Sequence, residues 1–241
     1  MIDTLRNGRG ERLDFSFHPG ADERRDVLVI GHGVTGNKDR PFAQALAGAA
    51  SAAGIPALRL SFAGNGESEG EFTASHPTKE VEDLLSVLDA LGDRRVTYAG
   101  HSMGAAAGVL AAARDERIRF LVSLAGMVHT AEFARRKFGD LTPGRDCMWE
   151  KPECPLSQEF LDDMNAIDTV APLGAEVRVP WLLVHGTADD VVPLQDSRDI
   201  LKHAGENAEL VVLEGADHVF SGDAAARMAE AVVHWLSARL G

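Results

Sequence analysis

Arg95-Val96-Thr97-Tyr98-Ala99-Gly100-His101-Ser102-Met103-Gly104-Ala105-Ala106-Ala107-Gly108 is the segment on which the fold turns. Its first five residues make a strand-forming run, and its last residues are small helix formers that open a helix predicted from about Met103 to Arg114. Between them lies Gly100-His101-Ser102-Met103-Gly104, a glycine-x-serine-x-glycine pentad with a strand before it and a helix behind it. A serine at such a sharp turn must hold a strained backbone, and bulky residues two positions to either side would collide there. The turn lifts the hydroxyl away from the sheet, over the partial positive charge of the helix N-terminus. Ser102 is therefore the candidate nucleophile.

Outward from this segment, a short apolar run followed by a helical pattern recurs along the chain. Upstream, Val27 to Ile30 predicts a buried strand, about Arg40 to Ala53 a helix, Pro56 to Phe62 a strand, and the stretch from Pro77 a helix with Val81, Leu84, Leu85, Leu88 and Leu91 on one face. Downstream, strands are predicted at Ile118 to Leu124, Trp181 to Val184 and Glu209 to Leu213, with helices over about Leu194 to His203 and Ala224 to Leu240. Strands and helices alternating at these lengths imply a mostly parallel sheet with helices on both faces. Arg12 to Phe17 alternates in polarity and is expected to pair antiparallel at the sheet edge. The rhythm breaks once, between about 128 and 168, where no clean strand occurs and aromatic residues and methionines crowd. This segment is expected to be a cap inserted into a single domain spanning 1–241.

Composition narrows the partners. Twenty-four Lys and Arg against thirty-seven Asp and Glu leave a formal net charge of -13, so the chain lacks the basic surplus that neutralises nucleic-acid phosphates. No apolar stretch is long enough to cross a bilayer, and Met1 to Asn7 lacks the pattern of a secretory leader. These features predict a cytoplasmic protein without membrane insertion. Cys147 and Cys154, the only cysteines, are too few for a disulfide framework and lack the neighbours a zinc site needs. No cofactor and no metal are expected, and oligomeric state is not encoded legibly.

A serine hydroxyl needs a base to take its proton. Gly215-Ala216-Asp217-His218 follows the strand ending at Leu213, and His218 is the candidate base. An orienting carboxylate is expected after the preceding strand, in His185-Gly186-Thr187-Ala188-Asp189-Asp190, where periodicity does not separate the two aspartates. Acyl transfer also needs donors for a developing oxyanion. The amide of Met103 supplies one, and the loop Gly31-His32-Gly33-Val34-Thr35-Gly36 supplies the other, by position from Val34.

Together, His32 to Lys38, Gly64-Asn65-Gly66-Glu67-Ser68, Gly100 to Gly104, His185 to Pro193 and Asp217-His218 resemble the α/β-hydrolase superfamily, over about Arg12 to the C-terminus. Within it the chain is similar to small bacterial esterases related to cinnamoyl (feruloyl) esterases and to serine-aminopeptidase-like hydrolases. The resemblance implies the α/β-hydrolase fold with a short cap, Asp189 as the acid, and Val34 with Met103 as the oxyanion hole. It also implies a serine carboxylesterase with a Ser102–Asp189–His218 triad, acting on small or medium esters, aromatic ones included. The same machinery serves thioesterases, amidases, peptidases and carbon–carbon hydrolases, and the fold also hosts catalytically dead ligand receptors. Candidate lining for the substrate pocket is Phe133, Phe138, Trp149 and Phe160 from the insertion, with His32, Met127 and Val191 beside it. Arg135-Arg136-Lys137 reads first as a solvated helix face and second as a site for a substrate carboxylate.

Overall fold

The computed structural model describes residues 4–21 and 25–240; Met1 to Asp3 of the N-terminal stretch lie outside the described residues. The elements run β1 (Leu5–Arg6), β2 (Arg12–Leu13), β3 (Phe15–His18), β4 (Asp26–Gly31), α1 (Pro41–Ala52), β5 (Ala57–Leu60), α2 (Pro77–Leu91), β6 (Arg95–His101) and α3 (Met103–Ala112). They continue through β7 (Ile118–Leu124), α4 (Thr130–Phe138), α5 (Gln158–Ile167), β8 (Trp181–Gly186), α6 (Leu194–Ala204), β9 (Ala208–Leu213) and α7 (Ala224–Ser237). Seven strands form the main sheet in the order β3-β5-β4-β6-β7-β8-β9. All pairings in it are parallel except β3 with β5. This is the expected α/β architecture.

Each strand of a sheet covered on both faces must be apolar on both, and residue parity assigns the sides. Val27 and Val29 of β4 join the cluster under α2, α3 and α6, whereas Leu28 and Ile30 join the one under α1 and α7. The first edge strand departs from expectation. Arg12 to Phe17 is divided at Asp14, so that β2 pairs with β1 in a separate two-stranded sheet while β3 alone forms the antiparallel edge.

The chain leaves β4 for β5 on one side and returns to β6 on the other, so β4 and β6 flank the point where the winding reverses. In such sheets ligands bind beyond the carboxyl ends of the strands at that point. Gly31 at the end of β4 lies in register with Gly100 at the end of β6. The glycine-rich loop and the serine turn therefore emerge side by side.

The 128–168 segment leaves the sheet after β7 and contains α4, α5 and a short helical turn at Met148–Glu150. Its apolar side chains form a third cluster, in which Phe133, Phe138, Met148, Leu156, Phe160 and Met164 are buried with Met103 and Met127. At its root, the buried carboxylate of Asp196 on α6 accepts from the amides of Val128 (2.8 Å) and His129 (3.2 Å). At its far side, Asp163 of α5 accepts from the Thr78 amide on α2 at 3.0 Å.

Candidate active site

Ser102 begins α3 with φ 54° and ψ -117°, a region that L-residues seldom occupy. Three backbone hydrogen bonds hold it there: its amide to the Leu124 carbonyl (3.0 Å), and the Ala105 (3.0 Å) and Met127 (3.1 Å) amides to its own carbonyl. The flanking glycines are required by close approach. A Cβ on Gly100 would strike the Gly104 carbonyl, and one on Gly104 would strike the carbonyl of His32.

His218 follows β9, and its Nδ1 donates to Asp189 Oδ2 at 2.8 Å. Of the two adjacent aspartates, Asp189 is the one that meets His218; its side chain is fully buried while Asp190 is exposed. Asp189 Oδ1 accepts from the amides of Val191 (2.9 Å) and Val192 (2.8 Å), and its Oδ2 lies 3.2 Å from Nε2 of buried His185. Burial alone would raise the Asp189 pKa. The hydrogen bonds from His185 and His218 outweigh that and hold the carboxyl below its ordinary range, so it is ionised. His185 in turn bonds Ser197 Oγ through Nδ1 at 2.7 Å, which fixes its ring.

Two other histidines frame the site without facing it as bases. His101 donates from Nε2 to the His218 carbonyl at 2.8 Å and stacks 4.7 Å from the His218 ring. Burial, then the neighbouring His218, pushes its pKa well below the ordinary value, so it is neutral. His32 lies buried under the glycine loop. Its Nε2 accepts from the Phe62 amide (3.0 Å), so Nδ1 carries the proton and donates to the Gly33 carbonyl (2.9 Å). Burial takes its pKa down to about 4.

The loop after β4 makes a tight turn closed by the Gly36 amide on the Gly33 carbonyl at 2.9 Å, with Thr35 at φ 56°. A Cβ on Gly33 would come within 2.6 Å of Ser102 Cβ and 3.1 Å of its Oγ, so only glycine lets this loop lie against Ser102. Among the described residues, the amides of Val34 and Met103 have no hydrogen-bond partner. Unpaired backbone donors at a helix start and an adjacent turn are what an oxyanion site requires.

A cavity of about 180 Å³ opens over Ser102. It brings together Ser102, His218, Val34, Phe133, Trp149 and Val191 from the sequence-predicted set. His218 and Ser102 share this cavity but are not within hydrogen-bonding geometry of each other; such bonds commonly tighten only when substrate is bound. Four predicted lining residues are corrected. His32 supports the loop from beneath, Met127 is buried in the cap cluster, and Phe138 and Phe160 pack edge-to-face 5.9 Å apart within the cap's own core. Phe138 touches the lining only through Phe133 and Trp149.

Arg136 and Lys137 do not reach the cavity either. They donate to the carbonyls of Val191 (2.9 Å) and Asp190 (3.0 Å), tying α4 to the acid loop. The cations that do line it are Arg40 and Lys151. Neither stands in a motif, and nothing in the local pattern singles them out. Among the described residues no group of three or more His, Cys, Asp or Glu is arranged to hold a metal ion.

Residues 63–241, which include Ser102, Asp189 and His218, match the model of the prolyl oligopeptidase family. The chain belongs to the prolyl oligopeptidase family. It has the α/β-hydrolase fold. Est1E of Butyrivibrio proteoclasticus with ferulic acid bound has the same fold, with a TM-score of 0.87 over 98% of each chain at 23% identity. Mouse α/β-hydrolase domain-containing protein 10 superposes with a TM-score of 0.81 over 100% of each chain at 19% identity. A lidless α/β serine hydrolase of Xanthomonas campestris reaches 0.69 at 22% identity, covering 98% of this chain and 93% of its own. In sequence, an uncharacterized protein of Mycobacterium tuberculosis is 27% identical over 196 residues, 80% of this chain and 62% of that protein. The 5-methylorsellinic acid synthase of Aspergillus terreus is 27% identical over 242 residues, 91% of this chain and 9% of the synthase. The chain thus spans less than two thirds of the length of these curated relatives. No helix among the described residues is long and apolar enough to cross a membrane.

Proposed function

We propose that this family member is a carboxylic-ester hydrolase working through an acyl-enzyme on Ser102. The observation that carries the reading is the buried, ionised Asp189 bonded to His218 Nδ1, with that histidine opening onto the cavity of Ser102. Asp189 holds His218 in the tautomer with a free Nε2 and stabilises the imidazolium that forms. His218 takes the Ser102 proton as Oγ attacks the acyl carbon, and the amides of Val34 and Met103 receive the oxyanion. His218 then protonates the departing alcohol, and water repeats the sequence to release the acid. No cofactor or metal takes part in this scheme.

The cavity is smaller than the several hundred cubic ångströms usual for drug-sized ligands. That supports short to medium acyl groups, with Phe133 and Trp149 suited to an aromatic one, as in the ferulic acid bound to Est1E. Two unpaired cysteines fit a reducing compartment, and we assign the protein to the cytoplasm on that basis. A peptidase is the second reading, favoured by the family. It is weakened by the cavity lining, which offers Arg40 and Lys151 but no carboxylate to receive a peptide's ammonium group.

The test is hydrolysis of p-nitrophenyl esters from acetate to laurate beside peptide p-nitroanilides, with Ser102→Ala as control. Turnover of short esters that the variant loses is the expected result. Hydrolysis of anilides alone would replace the ester reading with the peptidase one.

A further inference from the structure

Every ionisable side chain that lines the cavity over Ser102 is cationic or a histidine: Arg40, Lys151, His101 and His218. This is unexpected in a chain of net charge -13. We propose that Arg40 and Lys151 bind an anionic group of the substrate, a carboxylate a few atoms from the scissile carbonyl. This rests on the ester-hydrolase reading and gives it a substrate class, the half-esters of short dicarboxylic acids.

The two cations come from opposite walls. Arg40 sits at the start of α1, where one guanidinium nitrogen donates to the Thr35 carbonyl at 2.7 Å. Its remaining donors meet no acceptor among the described residues. Asp39 beside it is occupied, accepting from Lys38 (2.7 Å) and Arg59 (2.8 Å). Lys151 hangs from the cap and has no ion pair or side-chain hydrogen bond among the described residues. The acids next to it, Glu150 and Glu153, are exposed and absent from the lining. Both cations line the one cavity over Ser102.

The backbone that presents Lys151 is strained. Trp149 (φ 48°) and Glu150 (φ 56°) occupy the left-handed region in succession, which non-glycine residues seldom adopt. A hairpin holds them, with Met148 N on the Cys154 carbonyl (2.8 Å) and Cys154 N on the Lys151 carbonyl (2.9 Å). A partly desolvated cation without a counterion is costly, and a guanidinium and an ammonium lining one cavity suit a carboxylate. The chemistry is otherwise that of any ester. The Ser102 Oγ–acyl bond forms as the acyl–alkoxy bond breaks, the serine proton leaves with the alcohol through His218, and water releases the dicarboxylate.

The experiment compares monoethyl succinate with ethyl levulinate, in which a methyl ketone replaces the carboxylate, by acid release in a pH-stat. The readout is the ratio of their kcat/KM values. We expect the wild type to favour the half-ester by at least about tenfold, the equivalent of one charge-assisted hydrogen bond. Lys151→Gln and Arg40→Gln should each bring the ratio toward one, as should high salt. Lys151→Gln changes only a cap loop, so it reports even if loss of the Arg40–Thr35 contact disturbs folding. Calorimetric binding of both compounds to Ser102→Ala separates the two layers of the argument. A ratio at or below one, or one that neither variant moves, overturns the anion site and leaves the esterase standing. Tight half-ester binding that Lys151→Gln weakens, without turnover of any ester, keeps the anion site and overturns the esterase. Absence of both overturns both.

Discussion

Strained backbone occurs on both sides of the cavity, at Ser102 and at Trp149-Glu150, but it is supported in different ways. Ser102 is braced by the ends of β6 and β7 and by the first turn of α3, all of which are buried. Trp149 and Glu150 are braced by a hairpin of a few residues within the cap, and Trp149 is itself 40% exposed. The sheet side makes reactivity expensive to alter, because moving Ser102 means moving the core. The cap side leaves selectivity to a local device that can change without unfolding the sheet. Chemistry and recognition thus rest on different parts of the fold.

The sharpest way to break this comparison is at Asp189. Asp189→Asn removes the charge that orients His218, and kcat for ester hydrolysis should fall by about ten-thousandfold. The sheet should remain folded by circular dichroism. A loss below tenfold would mean that another carboxylate serves His218.

Phe138→Ala attacks the cap instead. Phe138 packs against Phe133, Trp149 and Phe160, and removing a buried phenyl costs about 3–5 kcal/mol. Limited proteolysis should open the 128–168 segment, and acyl chain-length preference should broaden, while organophosphonate still labels Ser102. If labelling is lost as well, the two sides of the cavity are not separable.

Acid sharpens the comparison from the sheet side, through His32. Its folded pKa of about 4 lies below the ordinary 6.5, so the unfolded state binds more protons between these values. The contribution is complete above about pH 6.5, declines as pH falls toward 4, and totals about 3 kcal/mol. Urea titrations across that window should show the decline, and His32→Gln should flatten it.

The smallest effect is expected at Gly33. The added methyl of Gly33→Ala would press on Ser102 Cβ at 2.6 Å. A displacement of this order should lower kcat about a hundredfold with little change in KM. An unchanged kcat would show that the glycine loop moves freely over the nucleophile, contrary to the rigidity argued for this side.

Much of the sheet side was legible in sequence because its constraints are local. Gly100, Ser102 and Gly104 sit at a turn whose sterics act within five residues, and strand and helix periods mark the elements that carry it. The cap lining was legible only in part. Aromatic residues that are crowded in sequence can pack on one another or on a ligand, and the pattern is the same for both. Phe133 and Trp149 reach the cavity, whereas Phe138 and Phe160 fill the space behind them.

The sequence by itself determined the α/β alternation, the position of the Gly100–Gly104 turn that carries Ser102, and the loops that carry Asp189 and His218. These follow from short-range backbone sterics and hydrophobic periodicity. Only the tertiary structure decided which cations line the cavity over Ser102. Arg136 and Lys137, adjacent in a visible basic run, turn to the carbonyls of the acid loop. Arg40 and Lys151, one hundred and eleven positions apart, face one cavity. Long-range packing of the cap on the sheet sets that pairing, and no spacing along the chain encodes it.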